Sequence, residues 1–359
     1  SHLQDRMTAI EEQLSQPRGL AFHTIRTVDR HQRDLFWALS RRVIPRLYRV
    51  KGDQNPVPFV EDLSVPPDQL PSVLTDVQDV LKKHQVTATI FAHAGHGQLH
   101  IRPFLDLASE KDCELLSPLS LDIAEAVWNN GGTVGSEHAA GLSRSWLQQR
   151  QYGDLWPAML KLKRLFDPNG IMNPGKLVGE SMLRCDEDIR SVSTEIEVTE
   201  GARELIAAGA AELLLAESTG NPVRRLPVIQ KWGAGKSIED AVRACNGCGR
   251  CRTTAPDQRQ CPMFRVHPAE EASPRAKANL LRGVLTGALN PDDLALDEAK
   301  EIADLCFGCH QCRIECPASV DVPKIVNEIK AQYVATNGLK LSDLLASRID
   351  RVSAFASRA

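Results

Sequence analysis

The chain has 359 residues, enough for two or three domains with their own cores, and its 42% apolar and 25% charged content is that of an ordinary folded protein. A formal net charge of −3 argues against a nucleic-acid footprint or a strongly basic membrane-binding surface. The most apolar run, Leu205 to Ala216, is interrupted by Gly209 and Glu212 and is too short to span a bilayer, so no transmembrane segment is predicted.

In chain order, the pattern predicts a helix over Asp34–Tyr48 and a second over Ser72–Lys83, with Val73, Leu74, Val77, Val80 and Leu81 on one face. Alternating apolar residues then predict strands over Thr87–His93 and Gln98–Phe104, and the turn clusters at 166–170 and 173–176 stop a further helix. These features define an α+β domain over residues 18–180. Residues 181–236 are read as a linker with one helix, Ala202–Glu217. Within it, Gly233-Ala234-Gly235-Lys236-Ser237 falls short of a phosphate loop, because Gln230 stands where the first glycine belongs and no buried strand precedes it. Residues 237–335 are expected to form a cysteine-bearing helical module, opened by a capping box at Ser237 and Asp240. Residues 336–359 read as a C-terminal packed helix with Leu344, Leu345, Ile349, Val352 and Phe355 at helical spacing.

Eight of the ten cysteines lie between Cys245 and Cys316, while Cys113 and Cys185 stand alone and read as ordinary thiols. Clustering at two- and three-residue spacing points to metal and to a reducing, cytoplasmic compartment. The later run is Cys306-x2-Cys309-x2-Cys312-x3-Cys316-Pro317, the bacterial ferredoxin spacing, and the earlier is Cys245-x2-Cys248-x2-Cys251-x9-Cys261-Pro262. In two-cluster ferredoxins the fourth cysteine, followed by proline, serves the other cluster. The expected ligand sets are therefore Cys245, Cys248, Cys251 and Cys316 for one 4Fe-4S cluster, and Cys306, Cys309, Cys312 and Cys261 for the second. The alternative is a pair of zinc sites, since thiolates also suit tetrahedral zinc. Together with Ser273-Pro274-Arg275-Ala276-Lys277, the long spacer between the runs suggests the all-helical module of succinate dehydrogenase iron-sulfur subunits. Two one-electron carriers in one fold make a short wire, which implies a donor and an acceptor.

The stretch Phe91–Pro103, FAHAGHGQLHIRP, reads as a hairpin. A two-residue turn at His96-Gly97 would pair His93 with His100 on one face, about 4.5–5.5 Å apart at Cβ, a good bite for one divalent ion. Two hairpin histidines that merely hydrogen-bond are the plainer alternative. Glu137-His138, in GSEHAAG, offers a carboxylate beside a further imidazole.

Taken together, FVEDLSVPPDQL, HAGHGQLHIRP, GSEHAAG and FDPNGIMNPGK resemble the C-terminal half of FAD-linked oxidases of the vanillyl-alcohol oxidase superfamily, over about Leu35–Gly179. Beyond it, ACNGCGRC, CPMFRVHPAEEASPRAKANLLRGVL and LCFGCHQCRIECPASVDVPKI resemble the iron-sulfur extension of the large bacterial members, which are fused to a heterodisulfide-reductase-like cysteine-rich region. The order of motifs is that of the bacterial D-2-hydroxyglutarate dehydrogenase type. The resemblance implies an antiparallel-sheet substrate (cap) domain followed by an all-helical 4Fe-4S domain, acting in oxidation of a D-2-hydroxy acid such as D-2-hydroxyglutarate, D-lactate or glycolate. It further implies that His93, His100 and Glu137 bind a divalent metal such as zinc, that His138 is the catalytic base, and that Asn173 lies near the flavin. Arg102 and Arg41 are the expected substrate-binding residues, Arg102 pairing with a distal carboxylate or with Asp106.

The sequence departs from the family pattern at His96, where an acidic residue is usual, at Ser40, where an arginine is expected, and at Val60, where some members have lysine. No glycine-rich flavin segment precedes Trp37, so the FAD-binding domain and the downstream cysteine-rich acceptor are expected on another part of the protein or on other chains. A cytoplasmic location, peripheral to the inner membrane if a quinone is the acceptor, follows; homo-oligomerisation stays open. The alternative function is a non-catalytic electron-transfer or scaffold subunit.

Overall fold

The computed structural model describes residues 2–15, 20–41, 43–48, 50, 52, 54–187, 189, 196–200, 224–232, 237–256, 258–350 and 353. The chain divides into two compact units, residues 1–49 and 50–359.

The first unit is helical: α1 (His2–Ser15), α2 (Arg30–Arg41) and α3 (Val43–Leu47). The single helix expected over Asp34–Tyr48 is thus two. Proline at position 45 accounts for the break, because it has no N–H to donate to the carbonyl four residues back, at Arg41, where α2 ends.

The second unit begins with strands β1 (Asn55–Pro56) and β2 (Leu63–Ser64), then α4 (Leu70–Lys83), β3 (Ala88–His93) and β4 (Gln98–Leu105). Helices α5 (Glu110–Glu114) and α6 (Leu116–Asn129) follow, then β5 (Thr133–Val134), α7 (Gly141–Tyr152) and α8 (Trp156–Phe166). The sheet is antiparallel and β4 is its centre. One edge of β4 pairs with β3; the other is shared by β2 at its start and β1 at its end, with β5 beyond β2. Val73, Val77 and Leu81 recur every four residues on α4, and this stripe joins Leu63, Leu99 and Ile101 of the sheet and Leu119, Ile123 and Val127 of α6 in one core. Burying one face of the sheet against such a stripe fixes strand register, since a one-residue slip would turn every apolar side chain outward.

The hairpin corrects the expected register. His93 faces Gln98 and Phe91 faces His100, so the connection is the four residues Ala94–Gly97 and not a two-residue turn. The cause is local. A 3-10 turn forms over Ala94–His96, and Gly97 closes it in left-handed backbone at φ +68°. A Cβ at Gly97 would lie 1.9 Å from the Val65 carbonyl oxygen, because the loop is laid directly on the chain leaving β2 and the Val65 N–H donates to the Gly97 carbonyl.

The segment read as a linker contributes two parallel strands, β6 (Ile196–Glu200) and β7 (Arg224–Val228). Leu226, Val228 and Trp232 pack into the second hydrophobic core, that of the cysteine-bearing part. The helix expected over 202–217 and the glycine-rich residues 233–236 lie outside the described residues. Alternation with a proline in the strand hid β7 from the sequence reading; its partner and its buried face only exist once the core forms. From residue 237 onward the described chain is helical: α9 (Ile238–Arg243), α10 (Pro262–Val266), α11 (Pro274–Leu285), α12 (Asp297–Asp304), α13 (Gln311–Glu315), α14 (Val322–Asn337) and α15 (Leu341–Ser347). The Ser237–Asp240 capping box is present, with the Asp240 N–H donating to Ser237 Oγ at 3.1 Å and the Ser237 N–H to Asp240 Oδ2 at 2.9 Å. Among the described residues no helix is long and apolar enough to cross a membrane.

Replacing Gly97 with alanine is expected to lower stability by about 2 kcal/mol or more, from left-handed strain plus the collision with Val65. A reduced urea midpoint at unchanged slope is the measurement; an unchanged midpoint would refute the close approach.

Candidate metal and cysteine centres

The chain entering β2 and the turn after β5 are tied by one carboxylate. Asp62 is fully buried and accepts from the Ser136 hydroxyl (2.8 Å) and from the backbone N–H groups of Ser136 (2.6 Å), His138 (2.9 Å) and Glu137 (3.2 Å). Burial alone would raise its pKa, but the Ser136 hydroxyl and the three backbone N–H groups outweigh it and hold the carboxyl below its ordinary value. The turn carrying Glu137 and His138 is therefore pinned from beneath, and both side chains, about half exposed, project from it.

Despite the shifted register, the imidazoles still meet. Because Phe91 faces His100 and residues two apart in a strand share a face, His93 lies diagonal to His100, with ring centroids 5.4 Å apart and planes at 88°. His100 Nε2 is 3.2 Å from Glu137 Oε1. The ligand atoms of His93, His100 and Glu137 all lie within 4.8 Å of one another. Burial lowers the pKa of His100 against the opposing pull of Glu137, Glu61 and Asp62, which favours the neutral ring that a metal requires. Two imidazoles and a carboxylate make a donor set suited to zinc or a similar divalent ion.

Sequence reasoning did not assign Glu61, which the structure places at the heart of the site. Its carboxylate takes Arg102 Nη2 at 2.5 Å and lies 3.3 Å from His138 Nδ1. Arg102 thus pairs with Glu61 and not with Asp106, whose carboxylate instead accepts the Ala108 N–H; Arg102 Nε is buried and has no hydrogen-bond partner among the described residues. Glu61, His100 and His138 form a second compact donor set that shares His100 with the first. The signal for both acidic residues was the Glu61-Asp62 pair at the mouth of a strand, where alternation sends one carboxylate toward the site and the other beneath it. Asn173 sits exposed, with φ +50°, in the turn after α8. Asp167 organises that turn by accepting from Lys163 Nζ (2.6 Å) and from the N–H groups of Ile171 and Met172 (2.9 Å each). Arg41 ends α2 in the first unit, and its side chain lies outside the described residues.

The eight clustered cysteines fall into two sets that cross between the runs. Burial pushes Cys251 up to about 11, with the charges of Cys245 and Cys248 adding to it, and Cys316 is also raised by burial and by Cys248 and Cys245. Burial pushes Cys312 up to about 12, together with Cys306, Cys261 and Cys309. Cys261, Cys306, Cys309 and Cys312 line one apolar cavity. Both triplets fold alike: left-handed backbone recurs at Gly247 and Gly249 in the first run and at Gly308 and His310 in the second. The eight thiols are free of disulfides among the described residues and range from exposed at Cys248 and Cys309 to buried at Cys312, and gathering them in fours fits a soft metal cluster that binds them as thiolates. The lone cysteines behave otherwise: Cys185 contacts the Ser117 hydroxyl at 3.7 Å and Cys113 the Leu107 carbonyl at 3.5 Å.

Replacing Asp62 with asparagine keeps the shape but turns an amide toward donors. It is expected to cost about 2–4 kcal/mol. Because the folded pKa is depressed, the Asp62 contribution is fully present above about pH 4 and is lost as pH falls through the folded value. Urea melts at pH 7 and pH 3 should therefore differ more for wild type than for the Asp62→Asn variant; equal pH dependence would remove the assignment.

Residues 1–177 match the family of FAD linked oxidases, C-terminal domain, and residues 244–321 match the 4Fe-4S dicluster domain. The chain is similar to D-2-hydroxyglutarate dehydrogenase of Pseudomonas putida, 26% identical over 88% of this chain and 31% of the relative, and to that of Escherichia coli, 23% identical over 90% and 32%. It is also similar to glycolate oxidase subunit GlcD of Bacillus subtilis, 30% identical over 38% of this chain and 28% of the relative. The chain spans about a third of the length of the curated relatives it matches over most of its own length. Residues 1–177 are thus an FAD-linked oxidase C-terminal domain and residues 244–321 a 4Fe-4S dicluster domain.

Proposed function

We propose that this chain forms the substrate and electron-transfer part of a dehydrogenase that oxidises a D-2-hydroxy acid, of the D-2-hydroxyglutarate, D-lactate or glycolate kind, to the 2-oxo acid. The observation that carries this reading is the convergence of His93, His100, Glu137 and His138, drawn from a hairpin and a separate turn, on one site beside a domain with two thiol sets. When bound, a divalent metal supplies a Lewis acid, FAD accepts two electrons and two 4Fe-4S clusters carry them onward singly. A flavin held chiefly by a separate domain, and an acceptor for the electrons leaving the clusters, are the implied partners.

His93, His100 and Glu137 would hold the metal. His138 is the proposed base, and Glu61 sets its tautomer: Nδ1–H donating to the Glu61 carboxylate leaves Nε2, which lies 3.6 Å from Glu137 Oε1, as the nitrogen to take the substrate hydroxyl proton. This is the orienting logic of a base held by a carboxylate. Arg102 is paired with Glu61 through Nη2, so the remaining terminal N–H groups of its guanidinium are the donors proposed for a substrate carboxylate. Asn173 is proposed to face the flavin from its exposed turn. Cys245, Cys248, Cys251 and Cys316 would hold one cluster, and Cys306, Cys309, Cys312 and Cys261 the other.

The second donor set, Glu61, His100 and His138, is the competing metal site. It would consume the base and strip Arg102 of its partner, which favours the first set. Metal analysis separates them: His93→Ala should lose the ion while Glu61→Gln keeps it, and the reverse result would move the metal to the second set.

The reaction is tested in the intact flavin-loaded protein with a panel of 2-hydroxy acids and a dye acceptor. His138→Ala should lower kcat by about 10²–10⁴. Chelation of the metal should lower turnover by about a hundredfold or more, reversibly on readdition. Wild-type turnover in the variant would remove His138 as base, and turnover of no hydroxy acid would leave the chain an electron-transfer scaffold.

A further inference from the structure

Lys277 is the most enclosed lysine among the described residues, at 1% exposure. Its location is unfavourable to a cation on three counts. It is buried; it stands in the first turn of α11, after the Ser273 cap, where the helix dipole opposes positive charge; and among the described residues no carboxylate forms an ion pair with it. Its Nζ donates to the backbone carbonyl of Glu271, while the Glu271 carboxylate lies 3.3 Å from His267. A buried ammonium with one neutral acceptor is not a stable arrangement unless negative charge lies nearby.

The nearby charge is sulfur. Lys277 lines the cavity formed by Cys261, Cys306, Cys309 and Cys312. Burial lowers its pKa, and the groups pulling it back are Cys261 and Cys306 first, then Glu271, then Cys251 of the other thiol set. The cavity lining thus places Lys277 with the second set. The remainder of the segment is engaged differently: Arg275 clamps Glu270 with two hydrogen bonds of 2.9 and 3.0 Å and reaches the Gly247 carbonyl, so it braces the loop of the first run from outside.

We propose that Lys277 is a buried counter-charge for the iron-sulfur site of Cys261, Cys306, Cys309 and Cys312 and makes it the easier of the two sites to reduce. This rests on the two-cluster reading above. Iron-sulfur potentials respond to net charge, sulfur hydrogen bonds and solvent exposure, and a fixed cation stabilises the form with one more negative charge. In the step concerned one electron enters the cluster, no bond forms or breaks, and Lys277 keeps its proton. The consequence is direction: electrons entering the protein come to rest at the Cys261 site.

The test is a redox titration followed by EPR on the intact, anaerobically prepared protein and its Lys277→Met, Lys277→Gln and Lys277→Arg variants. Wild type should contain iron and sulfide for two clusters with separate midpoints. The Met and Gln variants should make one cluster harder to reduce by at least tenfold in its one-electron equilibrium, about 59 mV, with a smaller shift in the other. Lys277→Arg should hold both within tenfold of wild type. If Met and Gln lose their clusters while Arg retains both at wild-type potentials, the counter-charge role also stands. Unchanged potentials in Met or Gln, equal shifts at both clusters, or loss of the fold in all three variants would overturn it. Wild-type protein with zinc in place of iron and sulfide would instead remove the two-cluster reading itself.

Discussion

A buried carboxylate must collect hydrogen-bond donors or lose its charge, and Asp62 collects four from three consecutive residues. That single demand joins β2, in the middle of the sheet, to the turn after β5. Without it, the turn of Glu137 and His138, some seventy residues away in sequence from the strand that holds it, would keep only ties such as the Gly135 N–H to the Asp62 carbonyl and Gln98 to the Ser136 hydroxyl. The histidines of β3 and β4 face the same place because they are strand residues, fixed by the pleat and by the core beneath. Flexible chain is thereby brought to rigid chain at the point where chemistry is proposed, a condition for holding ligands and a base in a reproducible geometry.

The cysteine module follows the same logic with a different material. Its helices are short, and several begin or end at a ligand: Cys245 follows α9, Cys261 caps α10, Cys312 lies in α13 and Cys316 ends it. Left-handed backbone at corresponding places in both triplets turns successive thiols to one side, and His310 adopts it where the first run uses Gly249. The thiols sit at the edge of an apolar core built from α11, α12 and α14, with β7 completing it. Enclosure of this kind raises thiol pKa values when no metal is present, so binding a cluster and losing protons are coupled.

Charge placement distinguishes the two halves. In the sheet domain, charged groups are paired tightly around the candidate metal site, with Glu61 shared between Arg102 and His138 and Asp62 satisfied by backbone. In the helical domain a lysine is enclosed with sulfur as its main electrostatic partner. The first arrangement sets protonation and orientation, the second sets where an electron is stable; both depend on removing the groups from water, which weakens screening.

Much of this was written in the chain itself. The α4 stripe, the strand pair about the histidines, the Ser237 capping box and the cysteine spacings are local patterns, and local patterns survive in sequence because helix and strand periods are fixed by backbone geometry. The hairpin register was not legible, since it depends on how closely the loop at Gly97 lies on Val65, a contact between separate strands. Nor were the roles of Glu61, Asp62 and Lys277. Each is an ordinary charged residue in the sequence, and its role comes from what surrounds it after burial. Spacing determined which side chains could meet along one strand, one helix or one loop; only tertiary packing decided which carboxylate is buried beneath the site, which faces the base, and which cation is enclosed with the thiols.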